Sequence, residues 1–167
     1  MFNMQSTTRK TGKAPSDPED PQIDPLYAWE EAWVDWNTNS LTLAECRSVI
    51  RTACKKYGVA PPPVRQHKTT AASYCEVVER HVSMQAVGLR KHPHRGGKNK
   101  SQSLHEATHW IVHHYCGERP QDHGPTFLGV YLWLMGAARV APISALTASA
   151  RAYGLKWVHR PPSWFKS

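Results

Sequence analysis

Apolar residues along this chain follow two rhythms, one helical and one short and alternating, and their order predicts a mixed α+β domain. Leu26, Trp29, Trp33 and Trp36 return every three or four positions, which predicts a first helix over about 25–37. Leu43, Cys46, Ile50, Ala53 and Tyr57 line one face of a second helix over 43–57. Thr42 and Glu45 have capping-box form at its start, and Gly58 suits its stop. Pro61, Pro62 and Pro63 forbid helix and open an extended segment. Residues 64–86 read as strands, with 74–78 and 81–84 β-prone and partly alternating. A turn at Glu79 and Arg80 would join these two into a hairpin, although it lacks the Gly or Asn that hairpin turns favour.

The second half returns to the helical rhythm. After a loop over 87–99, Leu104, Ala107, Thr108, Ile111 and Val112 give an inward side to a helix over about 100–116. Pro125 suits the first turn of a further helix reaching Ala138, with Phe127, Val130, Tyr131, Leu134 and Ala138 on its core face. Ile143, Leu146, Ala150 and Tyr153 mark a last helix over 143–153, ended by Gly154. Residues 1–24 are basic, then acidic and proline-rich, and read as a disordered tail. The domain is expected over 25–154, with a basic, aromatic tail over 155–167.

A chain of 167 residues, 40% hydrophobic, can bury one real core. The apolar run 127–140 is broken by glycines and reads as a buried helix rather than a membrane span. Met1 to Lys13 are polar and lack the apolar segment of a secretory signal. Cys46, Cys54, Cys75 and Cys116 form no C-x-x-C pair. Cys46 and Cys54 fall in one predicted helix roughly 12 Å apart along the axis, too far for a disulfide. Reduced thiols in a cytoplasmic protein are therefore expected.

Chemistry concentrates at His105-Glu106-Ala107-Thr108-His109, an H-E-x-x-H pattern. Two imidazoles four residues apart on a helix lie roughly 6 Å apart along its axis and project from one face, so they can grip one Zn²⁺. Glu106, beside the first of them, is placed to take a proton from a water on that metal. A catalytic zinc takes a third protein ligand. The nearby candidates are His113, His114, Glu118, Asp122 and His123. His105, His109 and His113 together would span roughly 12 Å of helix, beyond the reach of one ion, and His114 points to another side. His123 ranks first because it follows a break in the chain and precedes a new helix, with Glu118 and Asp122 behind it. A metzincin motif would need Gly at 112 and His at 115, where Val112 and Tyr115 stand. Glu118 is the last glutamate, so no later helix can supply a Glu ligand.

His105-Glu106-x-x-His109 followed by His123-Gly124-Pro125-Thr126-Phe127 resembles the SprT-like metallopeptidases, including the Spartan group. The resemblance spans about 42–140 and is specific at the two motifs. It implies a zincin-like metallopeptidase core, a small β-sheet packed against the H-E-x-x-H helix and flanking helices. It also implies that His105, His109 and His123 are Zn²⁺ ligands and Glu106 is the general base. The four-cysteine zinc ribbon that many members carry has no counterpart here.

The expected function is a zinc metalloendopeptidase acting on protein or peptide substrates, with no membrane association. An alternative is a non-catalytic zinc-containing structural or nucleic-acid-binding module, in which Glu106 would have no use. Tyr115 and the basic residues of 90–98 are candidates for an oxyanion stabiliser, and the sequence decides for neither. The net charge of +8 favours polyanionic partners. DNA is a candidate partner, through the basic loop 90–100 and the tail residues Lys156, Trp157, His159, Arg160, Trp164 and Lys166; the competing reading is a solvated loop with the tail tryptophans packed against the core. Analogy with the Spartan group adds DNA-associated proteins as substrates.

Overall fold

The structure is a computed structural model that describes residues 20–34, 41–67, 74–76, 81–85, 99–116 and 123–159. Among these, five helices and three short strands occur in the order α1 (Ile23–Val34), α2 (Leu43–Lys56), β1 (Val64–His67), β2 (Tyr74–Glu76), β3 (His81–Gln85), α3 (Lys100–Cys116), α4 (Pro125–Ala137) and α5 (Ile143–Ala152). The α+β expectation holds, and no described helix is long and apolar enough to cross a membrane.

Local chemistry sets the ends of α2. The Thr42 hydroxyl accepts from the Glu45 N–H at 3.2 Å, and the Glu45 carboxylate accepts from the Thr42 N–H at 2.7 Å. This is the reciprocal box read from the sequence, worth about 1 kcal/mol. At the other end Gly58 takes a φ of +69°, which a side chain would strain. Gly58 and Val59 then donate to the Lys55 and Cys54 carbonyls at 3.1 and 2.9 Å, a Schellman motif. Arg47 reaches from α2 to the Val64 carbonyl at 3.1 Å and ties β1 to the helix.

The sheet runs in the order β1-β3-β2. β2 pairs antiparallel with β3, Cys75 opposite Val82, while β1 lies parallel on the other side, Val64 opposite Val82. α3 packs on the sheet and between α2 and α4, with Leu104, Ala107 and Ile111 in the core. Such a central helix must satisfy its own buried hydroxyls. Ser103 donates to the Asn99 carbonyl at 2.8 Å and Thr108 to the Leu104 carbonyl at 2.7 Å. The Asn99 side chain caps the helix, accepting from the Gln102 N–H at 2.7 Å.

α4 begins with Gly124 as N-cap and Pro125 in its first turn, and buries Phe127, Leu128, Val130, Tyr131, Leu132, Leu134 and Met135. Arg139, with a φ of +55°, takes the left-handed position after it. The Lys100 ammonium donates to the Ala138 carbonyl there at 3.3 Å, complementing the helix C-terminus.

Both domain boundaries expected from the sequence need correction. At the N-terminus the fold already includes Asp20, which is only 5% exposed. α1 starts at Ile23, because the carbonyls of Asp20 and Gln22 accept from Ile23 and Leu26 at 3.2 and 2.9 Å. At the C-terminus Leu155 is buried, Trp157 is half-buried against the core, and Val158 donates to the Pro125 carbonyl at 3.0 Å. The composition of both segments is tail-like, yet specific polar contacts anchor them. Residues 1–19, Trp36, Glu79, Arg80, the basic loop as far as Lys98 and the tail from Arg160 lie outside the described residues.

Gly129 of α4 is where the C-terminal segment crosses most closely. A Cβ there would stand 2.7 Å from Val158 Cγ2 and 2.9 Å from the Val158 carbonyl oxygen. Gly129→Ala is expected to lower stability by about 1–3 kcal/mol, because backbone must move to relieve the overlap. Thermal unfolding of the metal-free protein measures it, and an unchanged Tm would contradict this packing.

Candidate metal centre

His105 and His109 leave α3 one turn apart, and their Nε2 atoms stand 3.1 Å from each other. The break between α3 and α4 returns the chain so that His123 faces them, its Nε2 3.3 Å from that of His105. The ligand atoms of all three lie within 4.8 Å of one another. His105 and His123 are buried and His109 is partly exposed. These are the three residues expected from the sequence, and together they can hold a metal ion. His113 and His114 stay outside the group, and His114 instead packs edge-on against Tyr115. Glu118 and Asp122 lie outside the described residues.

Two carboxylates orient the imidazoles from behind. Glu30 Oε1 of α1 lies 2.7 Å from His105 Nδ1, and Asp20 Oδ2 lies 2.5 Å from His123 Nδ1. Each contact places a proton on Nδ1 and turns the Nε2 lone pair inward, as metal-binding histidines require. The Tyr131 hydroxyl of α4 hydrogen-bonds to Glu30 in turn. Phe127 forms a wall common to the three rings, with centroids 5.1, 4.5 and 4.9 Å from those of His105, His109 and His123. Tyr27 sets its ring edge-on to His123 at 5.7 Å.

The electrostatics divide the histidines. Burial pushes His109 well below the ordinary imidazole value, and the neighbouring His105 and His123 push the same way. Burial also lowers His123, with His105 adding to the shift against the pull of Asp20. Burial opposes charge on His105 as well, but the Glu30 carboxylate overrides it and holds His105 above its usual value. Tyr131 is pushed well above the usual phenol value by burial and by Glu30, so it remains a donor.

Glu106 is 2% exposed. Burial pushes its carboxyl up to about 7, against the opposing pull of His105. Gln102, one turn earlier on α3, donates to Glu106 Oε1 at 2.5 Å, and the Cys75 backbone N–H of β2 donates to the same carboxylate. The sheet and the motif helix thus meet at Glu106.

The donor set fits a cation. Asp20 and Glu106 are buried beside the imidazoles, yet no Lys or Arg is among the buried residues described. Asp20 Oδ1 is buried with no hydrogen-bond partner among the described residues. Buried carboxylates without cationic partners are costly, and a dication on the Nε2 atoms would offset their charge.

Sequence reasoning passed over Asp20, Glu30, Gln102 and the polar role of Tyr131. Glu30 had a signal, since it lies four residues after Leu26 and so falls on the apolar face of α1, where a charge needs a partner. Gln102 had a weaker one, four residues before Glu106 on the same helix. Tyr115, weighed as an oxyanion stabiliser, instead donates its hydroxyl to the Tyr57 carbonyl at the end of α2. No family model, no curated protein and no solved structure matches this chain.

Zn²⁺ added to the metal-free protein is expected to raise its Tm. Free metal at a hundred times the dissociation constant corresponds to about 2.7 kcal/mol of added stability. His109→Ala should remove most of that shift. An equal shift in wild type and variant would place the metal elsewhere.

Proposed function

We propose that this chain is a zinc-dependent peptidase of SprT-like type, built on a zincin-like core and cleaving peptide bonds in protein substrates. The observation that carries the reading is the position of Glu106. It is a buried carboxylate pushed towards neutrality, next in sequence to one of three converging imidazoles. Three imidazole donors suit zinc among the common divalent ions, and three protein ligands leave a position open, as catalytic sites do. His105, His109 and His123 would hold the ion. When bound it supplies Lewis-acid polarisation of a carbonyl and makes a water more acidic.

The chain's own residues supply the rest. Glu106 accepts a proton from the water whose oxygen attacks the carbonyl carbon. It returns that proton to the amine nitrogen as the C–N bond breaks, leaving a carboxylic acid and an amine, which separate as carboxylate and ammonium once the acid's proton passes to the amine. A carboxyl raised by burial suits both halves of this exchange, and a nearby dication would draw it back towards ionisation. Gln102 and the Cys75 N–H hold the carboxylate in one orientation between the transfers. Phe127 and Tyr27 pack around the imidazoles and limit water at the site. A purely structural zinc site usually closes with four protein ligands and has no use for such a glutamate.

Glu106→Gln is expected to keep stoichiometric zinc while cleavage of an unfolded protein substrate falls by about 10²–10⁴-fold, the usual contribution of a general base. Metal analysis and a cleavage assay on the same preparation check both halves. Undiminished cleavage by the zinc-loaded variant would remove Glu106 from the mechanism.

A further inference from the structure

His105 and His109 are placed by the backbone of a regular helix, whereas His123 stands in the coil just before the N-cap of α4. Something outside α4 must fix it, and the contacts name the fixture. Asp20 takes its Nδ1 at 2.5 Å, and Gln22 Nε2 donates to its carbonyl oxygen at 3.0 Å. The same Gln22 side chain grips Lys156, accepting from its N–H at 2.6 Å and donating to its carbonyl at 3.2 Å. Val158, two residues on, donates to the Pro125 carbonyl at 3.0 Å, two residues past His123. A closed ring of hydrogen bonds therefore joins 20–22, 123–125 and 156–158, three segments far apart in sequence.

We infer that residues 20–22 act as a clamp that sets the metal affinity of the centre by holding His123 in its ligand position. Asp20 and Gln22 are positioning residues, acting through His123 rather than on the metal. The inference rests on the metal-site reading above. Asp20 Oδ1, buried with no hydrogen-bond partner among the described residues, supports it, because a buried carboxylate has given up hydration to serve one imidazole. Linkage makes the clamp reciprocal, so metal bound at His123 also strengthens the docking of 20–22. A segment whose composition reads as tail is then part of the binding site.

A double-mutant cycle in the full-length chain tests this. Zn²⁺ affinity is measured by chelator competition, and the ligand set by the visible absorption of the Co²⁺-loaded protein. Asp20→Ala is expected to weaken Zn²⁺ binding about 10–100-fold, the usual effect of removing a carboxylate behind a metal-bound histidine, and to shift the Co²⁺ bands. In a His123→Ala background the same change should cost nothing further. Gln22→Ala, read through the same cycle, should behave alike in smaller measure and serves if Asp20→Ala does not fold. Unchanged affinity, or an equal loss in both backgrounds, would overturn the clamp while leaving the metal site intact. Failure of the wild type to bind Zn²⁺ or Co²⁺ would overturn the metal reading and the clamp with it.

Discussion

The constraint on which the rest depends is the convergence of three imidazole nitrogens on one point inside the protein. The Nε2 atoms of His109 and His123 stand 3.1 and 3.3 Å from that of His105, so the three face a common space. Behind them stand Glu30 and Asp20, each orienting one ring. Buried carboxylates behind the rings leave negative potential in a region of low dielectric, and a metal ion held by the imidazoles would supply the counter-charge. The architecture can be understood as its support. α3 delivers two rings from one face, α4 brings the third ring and the Phe127 wall, and α1 contributes Glu30.

The carboxylates differ in task because their surroundings differ. Glu30 is tied to His105 and to Tyr131, so it stays ionised and holds a ring still. Glu106 is more deeply buried, and burial dominates there and pushes its carboxyl up to about 7. Asp20 serves His123, the imidazole of the three with the least help from its own helix. The site thus combines two helix-borne imidazoles with one that depends on long-range hydrogen bonds.

Much of the fold was legible from periodicity, capping and turn chemistry. The Thr42–Glu45 box and Gly58 bracketed α2 closely, and Pro125 marked the start of α4. The grouping of His105, His109 and His123 was legible too, because H-E-x-x-H carries its geometry in its spacing and His123 sits where a chain turning back must pass. What stayed hidden depends on distance in sequence. Asp20 lies 103 residues from His123, and nothing local distinguishes it from the other acids of its proline-rich surroundings. The parallel β1–β3 pairing is non-local in the same way. The error at both domain ends has one cause: composition reports the average tendency of a segment, whereas 20–24 and 155–159 are held by a few specific bonds.

The central claim is that His105, His109 and His123 bind one zinc ion together. X-ray absorption at the zinc edge of the loaded protein tests it most directly. The account predicts three imidazole ligands completed by light oxygen or nitrogen donors. A shell with two imidazoles or fewer, or with sulfur from any of the four cysteines, would contradict it.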